Sequence, residues 1–326
     1  MTNAPAFVPD EPPEIQVHSH DRYHAVMKAC EGLPPIKTVI VHAVDKTSIE
    51  AAADAAKENL IKPILTGMKD KILAVAAENK IDVSGWEIVD TPDAHASAMK
   101  AVELAAAGEA DVIMKGSLHT DEVLGPVVSS ASGLRTGRRL SQSYIMDTAG
   151  YHKWLIVTDG VVNIAPDLMT KADICRNARD IWKVLTNEDR LPKIAVLAAV
   201  EVVNPKMQAT LDAAALSKMA DRGQIEGCLI DGPLAFDNAV SKEAAAQKKI
   251  TSPVAGDADI LLAPEIESGN MMAKQLSFIN KADAAGIIMG AKVPIILTSR
   301  ADNLRSRLLS CAIAVLVVHA RKEGRI

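Results

Sequence analysis

Short runs of Val, Ile and Leu recur along the chain, and each is followed by a longer, alanine-rich stretch with helical spacing. Strands in a parallel sheet read this way, because helices crossing over both faces leave no wet side to alternate toward. The pattern confines the fold to α/β. It predicts strands at Thr38–Ala43, Pro63–Thr66, Asp111–Lys115, Ser143–Met146, Leu155–Thr158, Ile194–Ala198, Leu229–Asp231, Ile260–Ala263, Gly286–Met289 and Pro294–Leu297. Helices are expected at Thr47–Glu58, Lys69–Glu78, Ala94–Ala107, Thr120–Ser132, Thr170–Leu185, Pro205–Asp221, Lys242–Lys248, Ser268–Asn280 and Asn303–His319. A chain of 326 residues exceeds one usual domain, so two lobes are expected.

Composition removes several classes of partner. A net charge of −5 gives no general field toward nucleic acid or anionic lipid, and 3% aromatics are too few for stacking platforms. The cysteines, Cys30, Cys175, Cys228 and Cys311, are widely spaced with no C-x-x-C pair, which fits a reducing cytoplasm. Met1 to Pro13 is proline-rich and acidic, unlike a signal peptide, and is expected to be a loose arm. The longest apolar run, Cys311–Val318, is less than half the ~20 residues that span a bilayer, so a soluble protein without membrane partners is expected.

Open parallel sheets place ligands beyond the carboxyl ends of their strands, which makes the strand-leaving turns the candidate sites. None of these turns carries a dinucleotide fingerprint or a phosphate-binding P-loop. Pro294–Leu297 runs through Thr298, Ser299, Arg300 and Ala301 to Asp302, just before a helix. Orphan N–H groups there, with Ser299 and the Arg300 guanidinium, could hold a phosphate or a developing oxyanion. A capped helix with an exposed arginine explains the same residues, with Asp302 as the N-cap. Ser268, Gly269 and Asn270 open another helix and form a second candidate anion nest, although an ordinary helix start explains these common capping residues more readily.

The turn holding Lys115, His119 and Thr120 is a third candidate, with Lys115 as a phosphate contact and Ser117 or Thr120 as a cap. Arg135, Arg138 and Arg139 suggest either a clamp for a phosphorylated tail or scattered surface charge. The histidines, His18, His20, His24, His42 and His95 among them, lack metal-ligand spacing, and no metal is expected. Asp231, Asp237, Asp257 and Asp259 could gather around Mg²⁺, but turn formation explains them as well. No nucleophile elbow or cysteine–base pair is evident, so direct transfer between two bound substrates is expected.

Four ordered stretches, Met114–Thr120, Asp231–Asp237, Pro264–Asn270 and Pro294–Arg300, resemble the phosphate acetyltransferase and phosphate butyryltransferase family. The likeness runs from about residue 20 to the end. Ala198–Pro205 and Ile164–Leu168 resemble the butyryl branch more closely. It implies reversible acyl transfer between coenzyme A and inorganic phosphate, with CoA as co-substrate and no bound cofactor. It also implies a two-lobed fold of the isocitrate/isopropylmalate dehydrogenase type with largely parallel sheets and a central cleft, paired as a homodimer. The lobes would be 1–137 plus 287–326, and 138–286.

By the same resemblance Ser299 and Arg300 would stabilise the transition state. Lys115, His119, Thr120, Ser268, Gly269 and Asn270 would contact CoA or phosphate. The acetyl branch has an aspartate base six residues after the arginine, where this chain has Ser306, and the nearest downstream carboxylate is Asp302. It also has an arginine shortly after the His-Thr pair, where this chain has Gly125 and Pro126; either Arg135 or Arg138 would substitute or the acyl pocket would differ. Two rivals are a metal- and NAD-dependent dehydrogenase on the same superfold and a non-catalytic CoA-binding sensor.

Overall fold

The computed structural model describes residues 22–297 and 302–326. The expected N-terminal arm, His18, His20, Ser299 and Arg300 lie outside the described residues. After α1 (Arg22–Ala29), strands β1 (Ile36–Val41), β2 (Ile61–Gly67), β3 (Glu87–Asp90) and β4 (Val112–Lys115) alternate with helices. Those helices are α2 (Lys46–Lys57), α3 (Lys69–Glu78) and α4 (Ala94–Ala106). Helix α5 (Thr120–Val128) leads to β5 (Ser141–Asp147) and β6 (Leu155–Thr158). Next come α6 (Leu168–Thr186), β7 (Lys193–Leu197), α7 (Gln208–Asp221), β8 (Leu229–Leu234), α8 (Phe236–Val240) and α9 (Lys242–Gln247). The chain continues through β9 (Ile260–Leu262), α10 (Ile266–Phe278), β10 (Asp283–Met289), β11 (Ile295–Ile296) and α11 (Leu304–Lys322).

The strands form one sheet in the order β3-β2-β1-β4-β11-β10-β5-β6-β9-β7-β8. Within β3-β2-β1-β4-β11 every pairing is parallel, as it is within β6-β9-β7-β8. The two sets run in opposite directions because β10 and β5 between them pair antiparallel with each other and with their outer neighbours. The expected α/β architecture is therefore present, largely parallel, with a reversal at the centre. Edge strand β3, Glu-Ile-Val-Asp, escapes the apolar-run pattern because its two apolar residues are only half-buried.

Helix α11 is the hub. Residues Leu308 to Val318 are all buried, and the helix packs on α1, α2, α6, β10 and β11. The apolar run in the sequence is thus the middle of a core helix. Among the described residues no helix is long and apolar enough to cross a membrane. Capping departs from expectation: Asn303, not Asp302, accepts the N–H of Ser306, at 2.8 Å.

Only Ile295 and Ile296 of β11 bridge β4 to β10, and both side chains are fully buried. Replacing Ile296 by Ala is expected to cost about 2–5 kcal/mol through lost burial and the cavity left behind. Chemical denaturation, monitored through the buried Trp182, measures the loss.

Candidate active site

One row of paired residues crosses the centre of the sheet: Met114, Ile296, Ile287, Ser143 and Thr158. Thr158 is the last residue of β6, and Met114 the next to last of β4. Two sets of strands that point in opposite directions thus bring their carboxyl ends to one level. A cleft of about 390 Å³ opens beside this row. Lys115, His119 and Thr120 border it on one side, Gln142, Tyr144 and Gly286 floor it, and α10 covers it through Ala273, Lys274, Ser277 and Phe278. Leu297 and Asp302 line it on either side of residues 298–301.

The Lys115–Thr120 turn is held by its own backbone. A Cβ on Gly116 would lie 2.2 Å from the Val41 carbonyl oxygen, so only glycine lets the turn leave β4 this close to β1. The Ser117 N–H then donates to the His42 carbonyl at 3.1 Å. Lys115 Nζ donates to the carbonyls of Leu118 and Gly116, at 3.2 and 3.4 Å, which brings its charge over the turn. His119, rather than Ser117 or Thr120, occupies the N-cap position of α5, and its N–H donates to Glu122 Oε2 at 2.7 Å.

Other expected site residues have different surroundings. At the start of α10 the N–H groups of Glu267 and Ser268 are already taken by the Glu265 carboxylate, at 2.7 and 2.9 Å. Burial works to raise that carboxyl, yet these hydrogen bonds hold it below its ordinary range, so a built-in anion fills the nest. Ser268 Oγ donates to the Glu265 carbonyl and Asn270 Nδ2 to the Gly160 carbonyl. The backbone approaching Gly269 is the chain's own, since a Cβ there would sit 2.4 Å from the Asp159 oxygen. Ser268, Gly269 and Asn270 therefore dock α10, while later residues of that helix reach the cleft.

Arg138 pairs with Asp180 at 2.5 Å in a separate cavity with Arg176, Asn177, Gly290 and Arg321. Arg135 is exposed and bridges to Ala291. Neither replaces the missing arginine at the cleft. The Asp231–Asp237 stretch lies in and just after β8, at the far edge of the sheet. Asp257 and Asp259 are tied to Lys153, Lys193 and Arg190 by ion pairs.

Two cleft residues are invisible to apolar patterning: Gln142 and Tyr144, which share one face of β5 as i and i+2. A glutamine inside a central strand is the signal that could have marked them. Burial, then the charges of Asp302 and Asp159, pushes the Tyr144 hydroxyl up to about 12, so at neutral pH it is a hydrogen-bond donor and no base. None of the cysteines lines the cleft, and all are buried. Burial raises the thiols of Cys30 and Cys311 to about 12, that of Cys228 to about 11, and that of Cys175 further still.

The cleft of this α/β fold brings together a lysine, a carboxylate and neutral hydrogen-bond donors, the makings of an enzyme site for polar substrates. Residues 94–315 match the family model described as Phosphate acetyl/butaryl transferase. The Rhizobium meliloti phosphate acetyltransferase is 49% identical over 305 residues, which cover 94% of this chain and 96% of that protein. The Clostridium acetobutylicum phosphate butyryltransferase is 44% identical over 281 residues, 86% of this chain and 93% of that one. A crystal structure of a branched-chain phosphotransacylase from Enterococcus faecalis superposes with a TM-score of 0.75 at 32% identity, covering 87% of this chain and 99% of that chain. The chain belongs to the phosphate acetyl/butyryltransferase family and is an acyltransferase; the dehydrogenase and sensor alternatives are not favoured.

A backbone-held turn makes a sharp prediction. Gly116→Ala is expected to lose about 1–3 kcal/mol of stability from the forced clash. Gly125→Ala has nothing within 4 Å of its new Cβ and sits inside α5, so it should gain up to about 1 kcal/mol from helix propensity. Thermal unfolding of the two variants should move in opposite directions.

Proposed function

We propose that the cleft carries out acyl-CoA + phosphate = acyl phosphate + CoA by direct transfer, both substrates bound together. The observation that carries this reading is the meeting of the Lys115–Thr120 turn with Asp302 across the cleft of a chain in this family. Toward acyl phosphate, a phosphate oxygen attacks the thioester carbonyl carbon, the C–S bond breaks, and the proton lost by phosphate ends on the thiolate. Toward acyl-CoA, the thiol must first be deprotonated, and a free thiol with a pKa near ~8.5 is mostly protonated at neutral pH. Asp302 is the carboxylate at hand for that proton. Lys115, with His119 and Thr120, would face phosphate or the CoA pyrophosphate. Ser299 and Arg300 keep the role their resemblance implies, stabilising charge on the carbonyl oxygen and phosphate.

The lobes would divide as 1–137 plus 287–326, and 138–286, with the cleft at their seam. That split is supported by the return of β11 to pair with β4 after the chain has built the other half of the sheet. Large apolar residues exposed on and next to α10, Met271, Phe278 and Ile279, fit a face for a second copy, as expected of a homodimer. A reducing cytoplasm suits the four unpaired, buried cysteines. The bland lining of Leu118, Val161, Ala273 and Leu297 tells apolar acyl groups apart only weakly, about 1–3 kcal/mol per methylene.

The purified protein is expected to release free thiol from acetyl-, propionyl- or butyryl-CoA in a manner that requires phosphate. Absence of release from all three overturns the reading. Arg300→Ala is expected to lower kcat by about 10²–10³-fold, the effect of removing one preorganised charge-stabilising donor; turnover at the parent rate would remove that residue from the mechanism.

A further inference from the structure

The side chain of Gln142 is 1% exposed, and no hydrogen bond from its amide is present among the described residues. Its Oε1 is sealed from solvent without a partner. A buried amide oxygen left unpaired destabilises the fold, and an apolar residue of the same length would not. Gln142 also stands where a catalytic donor is needed. It lines the cleft floor beside Tyr144 and Gly286; the place a Cβ on Gly286 would take lies 3.7 Å from Gln142 Nε2 and 2.5 Å from the Leu297 carbonyl oxygen, so glycine there lets backbone and amide pack together. Two other polar groups of the lining are occupied: Lys115 Nζ bonds to the turn carbonyls and Ser277 Oγ donates to the Ala273 carbonyl. The Gln142 backbone is fixed in the middle of the sheet, where its carbonyl accepts from Thr158 Oγ1 at 2.7 Å. A side chain anchored on a central strand is positioned more sharply than one on a loop.

We propose that Gln142 Nε2 donates a hydrogen bond to the carbonyl oxygen of the transferring acyl group, strengthening as that oxygen becomes an oxyanion. The proposal rests on the acyl-transfer reading and adds a residue that the family motifs do not include. The physical reason to prefer the acyl oxygen over phosphate is differential binding. Phosphate is charged before and after the reaction and calls for cations, which Lys115 and the proposed Arg300 supply. The thioester carbonyl is neutral in the ground state and charged only as the phosphate oxygen–carbon bond forms and the carbon–sulfur bond weakens. A neutral, buried donor binds the ground-state carbonyl weakly and the oxyanion strongly, and only that difference speeds the step.

Three measurements on full-length protein test this. Gln142→Leu is expected to lower kcat in both directions by about 10²-fold, with KM for phosphate and for CoA within about threefold of the parent. Its thermal midpoint should not fall, since the orphaned amide is gone. With acetyl-CoA labelled ¹³C at the carbonyl and bound without phosphate, the infrared carbonyl stretch should lie lower in the parent than in the Leu variant. Should the Leu variant fold poorly, Gln142→Met, with a flexible apolar chain, is judged by the same readouts. Parent-like kcat in a folded variant overturns the proposal and leaves the acyl-transfer reading standing. A rise confined to KM for phosphate overturns it too, because the amide would then contact phosphate. A parent enzyme that turns over no acyl-CoA overturns both.

Discussion

The reversal at β10 and β5 is the constraint on which the rest depends. A wholly parallel sheet offers one crevice, outside the carboxyl ends of strands that all point the same way. Here the two parallel sets point in opposite directions, and the register Met114–Ile296–Ile287–Ser143–Thr158 sets the end of β4 level with the end of β6. The turn after β4 and the segment after β6 then border one cleft from opposite sides, and α10, leaving β9 beside β6, lies over it. Because strand side chains alternate between faces, a one-residue slip at β5 would turn Gln142 and Tyr144 away from the cleft and Ser143 toward it. The seven paired positions between β10 and β5 guard against that slip.

Close backbone packing transmits this register to the turns. Gly116 against Val41, Gly269 against Asp159 and Gly160 against Asn270 are approaches that a side chain would block. The Asp159 carboxylate meanwhile accepts the N–H groups of Val161, Val162 and Asn163, fixing the loop that contributes Val161 to the lining. Burial pushes the Asp159 carboxyl above its ordinary range despite those bonds, a sign that the carboxylate is retained for shaping the loop at some cost in desolvation. These glycines therefore serve the chain's own backbone packing.

Much of this was legible in the residues. Runs such as Thr38-Val-Ile-Val-His-Ala43 and Ile260-Leu-Leu-Ala263 are buried on both sides, and their apolar content marks them wherever they fall. Strand β3 and helix α1 are half-wet edge elements whose composition resembles a loop, so apolar periodicity passes over them. The Lys115–Thr120 turn and Asp302 were legible as cleft residues because strand ends are where α/β sheets bind ligands. Arg138 and the Ser268–Asn270 turn have internal partners that the sequence does not show, for one shared reason. A cation or a helix start looks anionophilic in sequence, but Asp180 and Glu265 satisfy them internally, and neither partner can be inferred from local spacing.

The chemistry assigned to the cleft also follows from what the cysteines cannot do. An acyl-enzyme on cysteine would need a thiolate near the carbonyl, and burial holds the four thiols protonated and away from the cleft. The proposed direct route brings two polyanions, phosphate and CoA, into one opening of a net acidic chain. Their mutual repulsion must be met by local cations, while the carbon that changes hands is neutral and sits among apolar groups and amide donors. In the proposed mechanism that separation assigns fixed charge to the Lys115 rim and uncharged donors to the Gln142–Tyr144 floor. Exchanging the two would hold the phosphate too weakly at the rim, and at the floor it would set a full charge against a carbonyl that carries none until the bond begins to break.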